Sequence, residues 1–248
     1  GEDRRVYEFW AEGDWKTASW LMKSFNKNKI SPDHIGPISL GFCHRPKFKP
    51  ITKRENIAKG NRMTFEDVQD LIRDESKGEQ VVSWHSSFIW NKIKNHVKND
   101  DEAERLSKLM RKNLHQILII FSIIHSEKHD DFLIKTFLHP DFALYQPIFR
   151  DFNPETGTCS KIDKKRVSRT EHLRNAQRYV RKSLESLENY KVKNNRRISS
   201  ILGNEITTLL QNVLEALSNH NEAQAREDLT SIFELMAKQA LNDFLSER

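Results

Sequence analysis

Only two cysteines, Cys43 and Cys159, occur in 248 residues, too few for a four-thiolate zinc site or a disulfide framework and in keeping with a reducing compartment. Proline stops early. All seven prolines lie between Pro32 and Pro154, so no proline interrupts a helix in the last third of the chain. The most apolar run, residues 114–124, is broken by His115 and Gln116, is too short to cross a bilayer and reads as a core helix. The opening Gly1-Glu2-Asp3 carries neither an apolar signal core nor a cleavage site. With 31% charged residues and a mean hydropathy of −0.73, a polytopic membrane protein is excluded. No internal repeat or low-complexity tract stands out.

Positive charge is what the chain has in excess. Lys and Arg number 41 against 35 Asp and Glu, a formal net charge of +6, and the pI is near 9.2, which points to a polyanionic partner, nucleic acid first. The excess is local. Residues 161–197 hold thirteen basic residues against four acidic ones, whereas residues 203–248 hold three against eight. The length allows one large domain or a small module joined to a larger one. Four stretches are read along the chain: residues 1–30, an aromatic-rich N-terminal segment; 31–75, a motif-bearing unit; 76–160, a helical region; and 161–248, a helical region with a basic first half and an acidic C-terminal hairpin.

Apolar periodicity supports the helical stretches. Leu106, Leu109, Met110, Leu114, Ile117, Leu118, Phe121 and Ile124 recur at helical spacing. So do Ile198, Ile201, Leu202, Ile206, Leu209, Leu210, Val213, Leu214 and Leu217, and, after a cap at Asn219 or Asn221, Leu229, Ile232, Phe233, Met236, Ala240 and Phe244. At the front, Val6, Tyr7, Phe9, Trp10, Trp15, Trp20, Leu21 and Phe25 suit one or two short helices whose aromatics pack in a core rather than stack on bases. His125 and His129 stand four apart, but no third ligand accompanies them, so they read as structural or surface residues.

The sequence changes character between Ile30 and Ile72. Asp33-His34 follows a proline turn, Pro37, Ser39 and Gly41 mark an irregular loop, residues 48–52 form a short strand, and Thr64 with Asp67 caps a helix through Val68, Leu71 and Ile72. A β-loop-β-helix unit results. In it a strand ends on Asp33-His34 and the next helix presents Asn56 across the loop. One carboxylate and one amide oxygen, Asp33 and Asn56, suit a largely hydrated Mg²⁺ with positions open to phosphate oxygens. Asn61 is the second choice for the amide ligand if the helix begins later. His34 points to the other side of an extended strand and suits a general base near neutral pH. Arg45, Lys47, Lys49, Lys53, Arg54, Lys59 and Arg62 surround this triplet, opposed within residues 33–62 only by Asp33 and Glu55, which favours a nearby phosphate backbone.

Asp-His, a Pro/Ser/Gly loop, a strand and Asn-x-x-Lys before a helix resemble the HNH, or ββα-metal, nuclease motif. The strings PDHIGPISLGF and ENIAKGNRM look more specifically like the HNH type IIS restriction endonucleases of the BsaI and BsmBI group, which recognise GTCTC-containing sites. The resemblance covers roughly forty residues and places the family's aspartate ligand on Asp33, its general base on His34 and its asparagine ligand on Asn56. It implies a predominantly α chain with a small embedded ββα-metal (HNH) unit. It also implies Mg²⁺, with Mn²⁺ able to substitute, double-stranded DNA as partner, and a bacterial cytoplasm. Two departures stand. The second structural residue that many HNH domains carry before the second strand has no obvious equivalent in Cys43-His44-Arg45-Pro46, where His44 is the substitute on offer. Recognition in the resembled group lies mainly ahead of the nuclease motif, so this sequence reads as the cleavage portion, lacking an N-terminal recognition region.

Candidate DNA contacts are Lys53, Arg54, Lys59 and Arg62 beside the motif, and Lys164, Lys165, Arg166, Arg169, Arg174 and Arg178 in the basic run. With one site per chain, cutting both strands calls for a homodimer, transient pairing or sequential nicking. The alternatives to a nuclease of this type are a basic helical binder with a degenerate HNH unit and a junction-resolving nuclease, the latter disfavoured by the missing cysteines.

Overall fold

A computed structural model describes residues 5–27, 29–192 and 202–246. Ile198, Ile201 and the end of the basic run at Arg197 lie outside the described residues. The chain opens with α1 (Arg5–Trp10) and α2 (Trp15–Lys27), followed by the strands β1 (Ser31–His34) and β2 (Phe48–Ile51) and the helices α3 (Lys53–Lys59), α4 (Phe65–Ser76) and α5 (Trp84–Ile93). Next come α6 (Asp100–Ser126), α7 (Asp130–Phe137), β3 (Tyr145–Arg150), β4 (Lys161–Arg166), α8 (Arg169–Val192), α9 (Asn204–Ser218) and α10 (Glu222–Ser246). The strands form two separate antiparallel pairs, β1 with β2 and β3 with β4.

The long helix α6 is the spine. Asn99 caps it by accepting from the Glu102 amide at 2.9 Å, and three acidic residues, Asp100, Asp101 and Glu102, occupy its first turn, where the helix dipole favours negative charge. Its N-terminal half, with Ala103, Leu106 and Met110, belongs to a core shared with α4 and α5; its C-terminal half, from Leu114 to Ile124, belongs to a second core shared with α1, α7, α8 and α9. Helix α10 joins the two cores in the same way. Leu229, Ile232, Phe233 and Met236 serve one core, and Ala237, Ala240 and Phe244 the other. The turn between α9 and α10 places His220 in the left-handed region at φ 56°, and Asn221 accepts from the Gln224 amide, so the cap falls on Asn221.

Apart from the half-buried Trp20, the aromatics of the first helices belong to or pack against the core. Trp10 and Phe25 are fully buried. Phe25 also explains how the two small sheets come together: its ring packs edge-on against Phe48 of β2 at 5.9 Å and against Phe152, in the β3-β4 connection, at 4.9 Å. Gly157 in that connection has φ +70°, and a Cβ there would lie 3.0 Å from the Phe25 ring, so close approach as well as backbone conformation calls for glycine.

The β3-β4 hairpin departs from the helical reading of residues 76–160 and 161–248. Cross-strand charge pairs replace helical ones: Asp163 takes Arg150 from the opposite strand at 3.0 Å and Lys161 from its own at 2.6 Å. Positive φ at Asp151 and Gly157 reverses the chain between the strands. A local sequence so rich in lysine has too little apolar periodicity to reveal such a pairing.

Buried histidines make this fold acid-sensitive. His85 of α5 sits among the rings of Phe121 and Phe137 with neither ring nitrogen hydrogen-bonded, and burial pulls its pKa down to about 4, with Glu12 opposing. The unfolded chain takes up the proton near pH 6.5 and the folded chain does so only near 4, so this contribution is fully present above the first pH and lost toward the second. Urea unfolding is expected to show about 2 kcal/mol less stability from His85 alone at about pH 5 than at pH 7. The His85→Met variant should lose that part of the pH dependence.

Candidate active site

The β1-β2 register fixes which side chains share a face. Ser31 pairs with Ile51, Asp33 with Lys49 and His34 with Phe48. Alternation along β1 puts Ser31 and Asp33 on one face and His34 on the other. The long connection between the strands is anchored by Leu40 and Phe42, both fully buried. Gly41, at φ +95°, closes its 3-10 turn at Ile38–Leu40. A Cβ on Gly41 would lie 2.1 Å from Ser86 Oγ of α5, so the loop lies directly against that helix. Cys43 donates its amide to Val81 and Ser83 donates to Gly41, which ties the rest of the loop to the segment before α5.

Helix α3 lies over the Ser31 and Asp33 face. Thr52 and Glu55 form a reciprocal capping box at its start, and positions 56 and 59, three apart, face β1 together. Asn56 Nδ2 donates to Ser31 Oγ at 2.7 Å. Lys59 Nζ donates to Asp33 Oδ2 at 2.5 Å and reaches Asp67 Oδ2 at 2.7 Å. The structure therefore brings Asp33, Asn56 and Lys59 to one side of β1. Asn61 lies in the exposed turn after α3, beyond the face that meets the strand. Helix α4 is separate from α3, with its own capping box between Thr64 and Asp67.

Asp33 is buried. Burial raises its pKa, Asp67 adds to the rise, and Lys59 opposes it. Burial would raise Asp67 as well, but Lys59, the Thr64 amide and Lys49 outweigh it and hold that carboxyl below its usual range. On the other face, the His34 ring packs against Phe48 at 4.6 Å and His44 at 5.3 Å. His34 Nε2 and both ring nitrogens of His44 are buried without a hydrogen-bond partner. Burial, then the neighbouring His44, pulls His34 down to about 3, and burial takes His44 to about 4. Both rings are therefore neutral at neutral pH, and burial places His34 well below the near-neutral titration that the sequence suggested for it.

The basic residues of this unit divide into two sets. Arg45 is bonded to Asp74 at 2.8 Å and Glu79 at 3.0 Å, Lys47 to the same two carboxylates, Lys49 to Asp67 at 2.9 Å and Arg62 to Glu104 at 3.1 Å. With Lys59 held between Asp33 and Asp67, five of the seven are neutralised by α4, by the segment after it and by α6. Counting only Asp33 and Glu55 as opposing charges therefore overstates the free positive charge, because Asp67, Asp74, Glu79 and Glu104 fold back onto it. Lys53 and Arg54 are exposed and make no ion pair among the described residues. They occupy the first turn of α3, where the helix dipole disfavours positive charge.

Lys164, Lys165 and Arg166 of β4 and Arg169, Arg174 and Arg178 of α8 are all exposed and likewise make no ion pair among the described residues. Ile162 of β4 and Leu173 of α8 are exposed in the same two elements. The turn of the β3-β4 hairpin lies against β2, with the Gly157 Cβ position 3.5 Å from the Phe48 carbonyl oxygen, so the basic hairpin packs its turn against the separate sheet that carries Asp33 and His34. Away from this region, His125 is occupied by Asp130 at 2.5 Å.

Asp67 reads in the sequence as a helix cap, but its bond to Lys59 depends on how α4 is placed relative to α3, which no local pattern encodes. Among the described residues no three His, Cys, Asp or Glu side chains cluster as a metal site; the donor set at hand is a carboxylate with an amide.

No curated protein and no solved structure matches the chain. A family model described as Type II restriction endonuclease (RE_Alw26IDE) matches residues 1–246. A buried carboxylate and an amide on one side of β1, a neutral histidine on the same strand and a basic hairpin packed against that sheet accord with an enzyme that works on a phosphate backbone, and the chain belongs to this family of type II restriction endonucleases, DNA endonucleases by activity.

Proposed function

We propose that the β1-β2-α3 unit is an HNH (ββα-metal) nuclease centre and that the chain is the cleavage portion of a type IIS restriction endonuclease dependent on Mg²⁺, with Mn²⁺ able to replace it. The observation that carries this reading is the placement of Asp33 and Asn56 on the shared face of β1 and α3, with His34 next in the strand and neutral. The donor set fits a hard cation: one carboxylate and one amide oxygen leave most of the coordination sphere to water and phosphate. Asp33 and Asn56 would hold it, and when bound the cation supplies positive charge against the charge developing on the phosphate and the leaving oxygen.

His34 takes a proton from the attacking water, which its unpaired ring nitrogen allows. Burial keeps His34 from being protonated beforehand. Lys53 and Arg54 hold the DNA backbone beside α3, where a phosphate would relieve their unfavourable position in the first turn. Attack on phosphorus with loss of the 3′ oxygen leaves a 5′-phosphate and a 3′-hydroxyl. The GTCTC-containing site of the resembled group is the sequence to try first, with cleavage to one side of it.

Plasmid cleavage with Mg²⁺, with Mn²⁺ and with EDTA tests the reading. Products are expected with either ion and none with EDTA, and Asp33→Asn should abolish cleavage with both. Cleavage that persists in EDTA would refute the metal-dependent centre. Salt-sensitive DNA binding without any cleavage would favour a binder with a degenerate unit.

A further inference from the structure

Two buried carboxylates share one ammonium at the heart of this unit. The side chains of Asp33, Asp67 and Lys59 are 7%, 2% and 17% exposed, so solvent screens their charges little. The two carboxylate oxygens on Lys59 are separated by no more than the sum of the two contact distances, 2.5 and 2.7 Å. The anchoring of the two acids differs. Asp67 Oδ2 also accepts from the Thr64 amide, and Asp67 Oδ1 accepts from Lys49. Its helix is pinned by Val68 and Leu71, both fully buried. Lys59 instead comes from α3, which has no buried residue of its own. Lys49 also reaches Glu66 and Asp70, so the charged groups around the ammonium are Asp33, Asp67, Glu66, Asp70 and Lys49.

We infer that Lys59 is a positioning residue that competes with a divalent cation for Asp33, and that Asp67 is the fixed anchor that keeps the ammonium in place when Asp33 changes partner. This rests on Asp33 being a cation ligand, as proposed above. Asp33 and Asp67 cannot both remain buried, charged and uncompensated. Lys59 satisfies both, and a cation arriving at Asp33 meets an ammonium already on that carboxylate. Cation binding by the free protein is thereby weakened, and phosphate oxygens from DNA supply what is needed for tight binding. Divalent ion and DNA therefore bind cooperatively.

The test is Mn²⁺ binding without DNA, followed by the electron paramagnetic resonance signal of the free ion, for the wild-type chain and for Lys59→Met, Lys59→Gln and Asp33→Asn. Circular dichroism establishes that each variant is folded. Lys59→Gln can still hydrogen-bond to both acids and decides the matter if Lys59→Met does not fold. Removing the ammonium is expected to tighten Mn²⁺ binding ~10-fold or more, while Asp33→Asn abolishes it. Unchanged or weaker binding in the Lys59 variants, with loss in Asp33→Asn, would overturn the role of Lys59 and leave the metal centre standing. Wild-type binding by Asp33→Asn would overturn the metal centre itself.

Discussion

Replacement of His34 by alanine is expected to lower DNA cleavage by roughly 10²–10⁴-fold, the usual contribution of a positioned general base, while leaving DNA affinity within about twofold. The expectation follows from its environment. His34 lies between Phe48 and His44, is kept neutral by burial and has a ring nitrogen without a partner. That nitrogen is expensive to bury unless something binds it, and a water or substrate proton is the partner that the proposed chemistry supplies. Truncation also opens space beside Phe48, so thermal unfolding should accompany the assay, and His34→Gln, closer in volume, separates packing from proton transfer. Equal loss of cleavage in both variants with little change in melting supports the base. Cleavage retained by His34→Gln would assign the proton transfer elsewhere.

The second large effect is expected on DNA binding. Replacing Lys164, Lys165 and Arg166 together by alanine should weaken affinity by roughly 10–100-fold at moderate salt and flatten the plot of log affinity against log salt by about two to three. These residues are exposed and free of ion pairs among the described residues, and their hairpin rests on β2 through Phe25, Phe48 and Phe152. Replacing Arg45 and Lys47 offers the contrast. Their charges are already spent on Asp74 and Glu79, so alanine there should reduce stability and leave the salt slope unchanged. Equal slopes for the hairpin variant and the wild type would remove β4 from the DNA-binding surface.

The two sets of basic residues look alike in the sequence. What separates them is the position of α4: its capping box, readable from Thr64 and Asp67, starts a helix that returns Asp67, Asp70 and Asp74 to the lysines and arginine of β2 and the loop before it. Electrostatic partners that are tens of residues apart leave no local periodicity. The β3-β4 hairpin was hidden for a related reason, since strand pairing among charged residues is set by cross-strand contacts and by the aromatic anchor at Phe25 rather than by an apolar repeat.

The long helices were legible from local pattern. Apolar spacing along α6, α9 and α10 reports a buried face directly, the Thr64 and Asn221 caps mark helix starts through local hydrogen bonds, and Asp33, His34 and Asn56 are candidates in the sequence through the residue types and order that resemble the HNH motif. Three features come from the tertiary fold: Lys59 joins Asp33 to Asp67, His34 is buried against His44, and the basic hairpin packs its turn against the β1-β2 sheet. Each of these depends on a burial or a charge partner supplied by a distant segment, and desolvation and ion pairing act through space, without regard to separation along the chain.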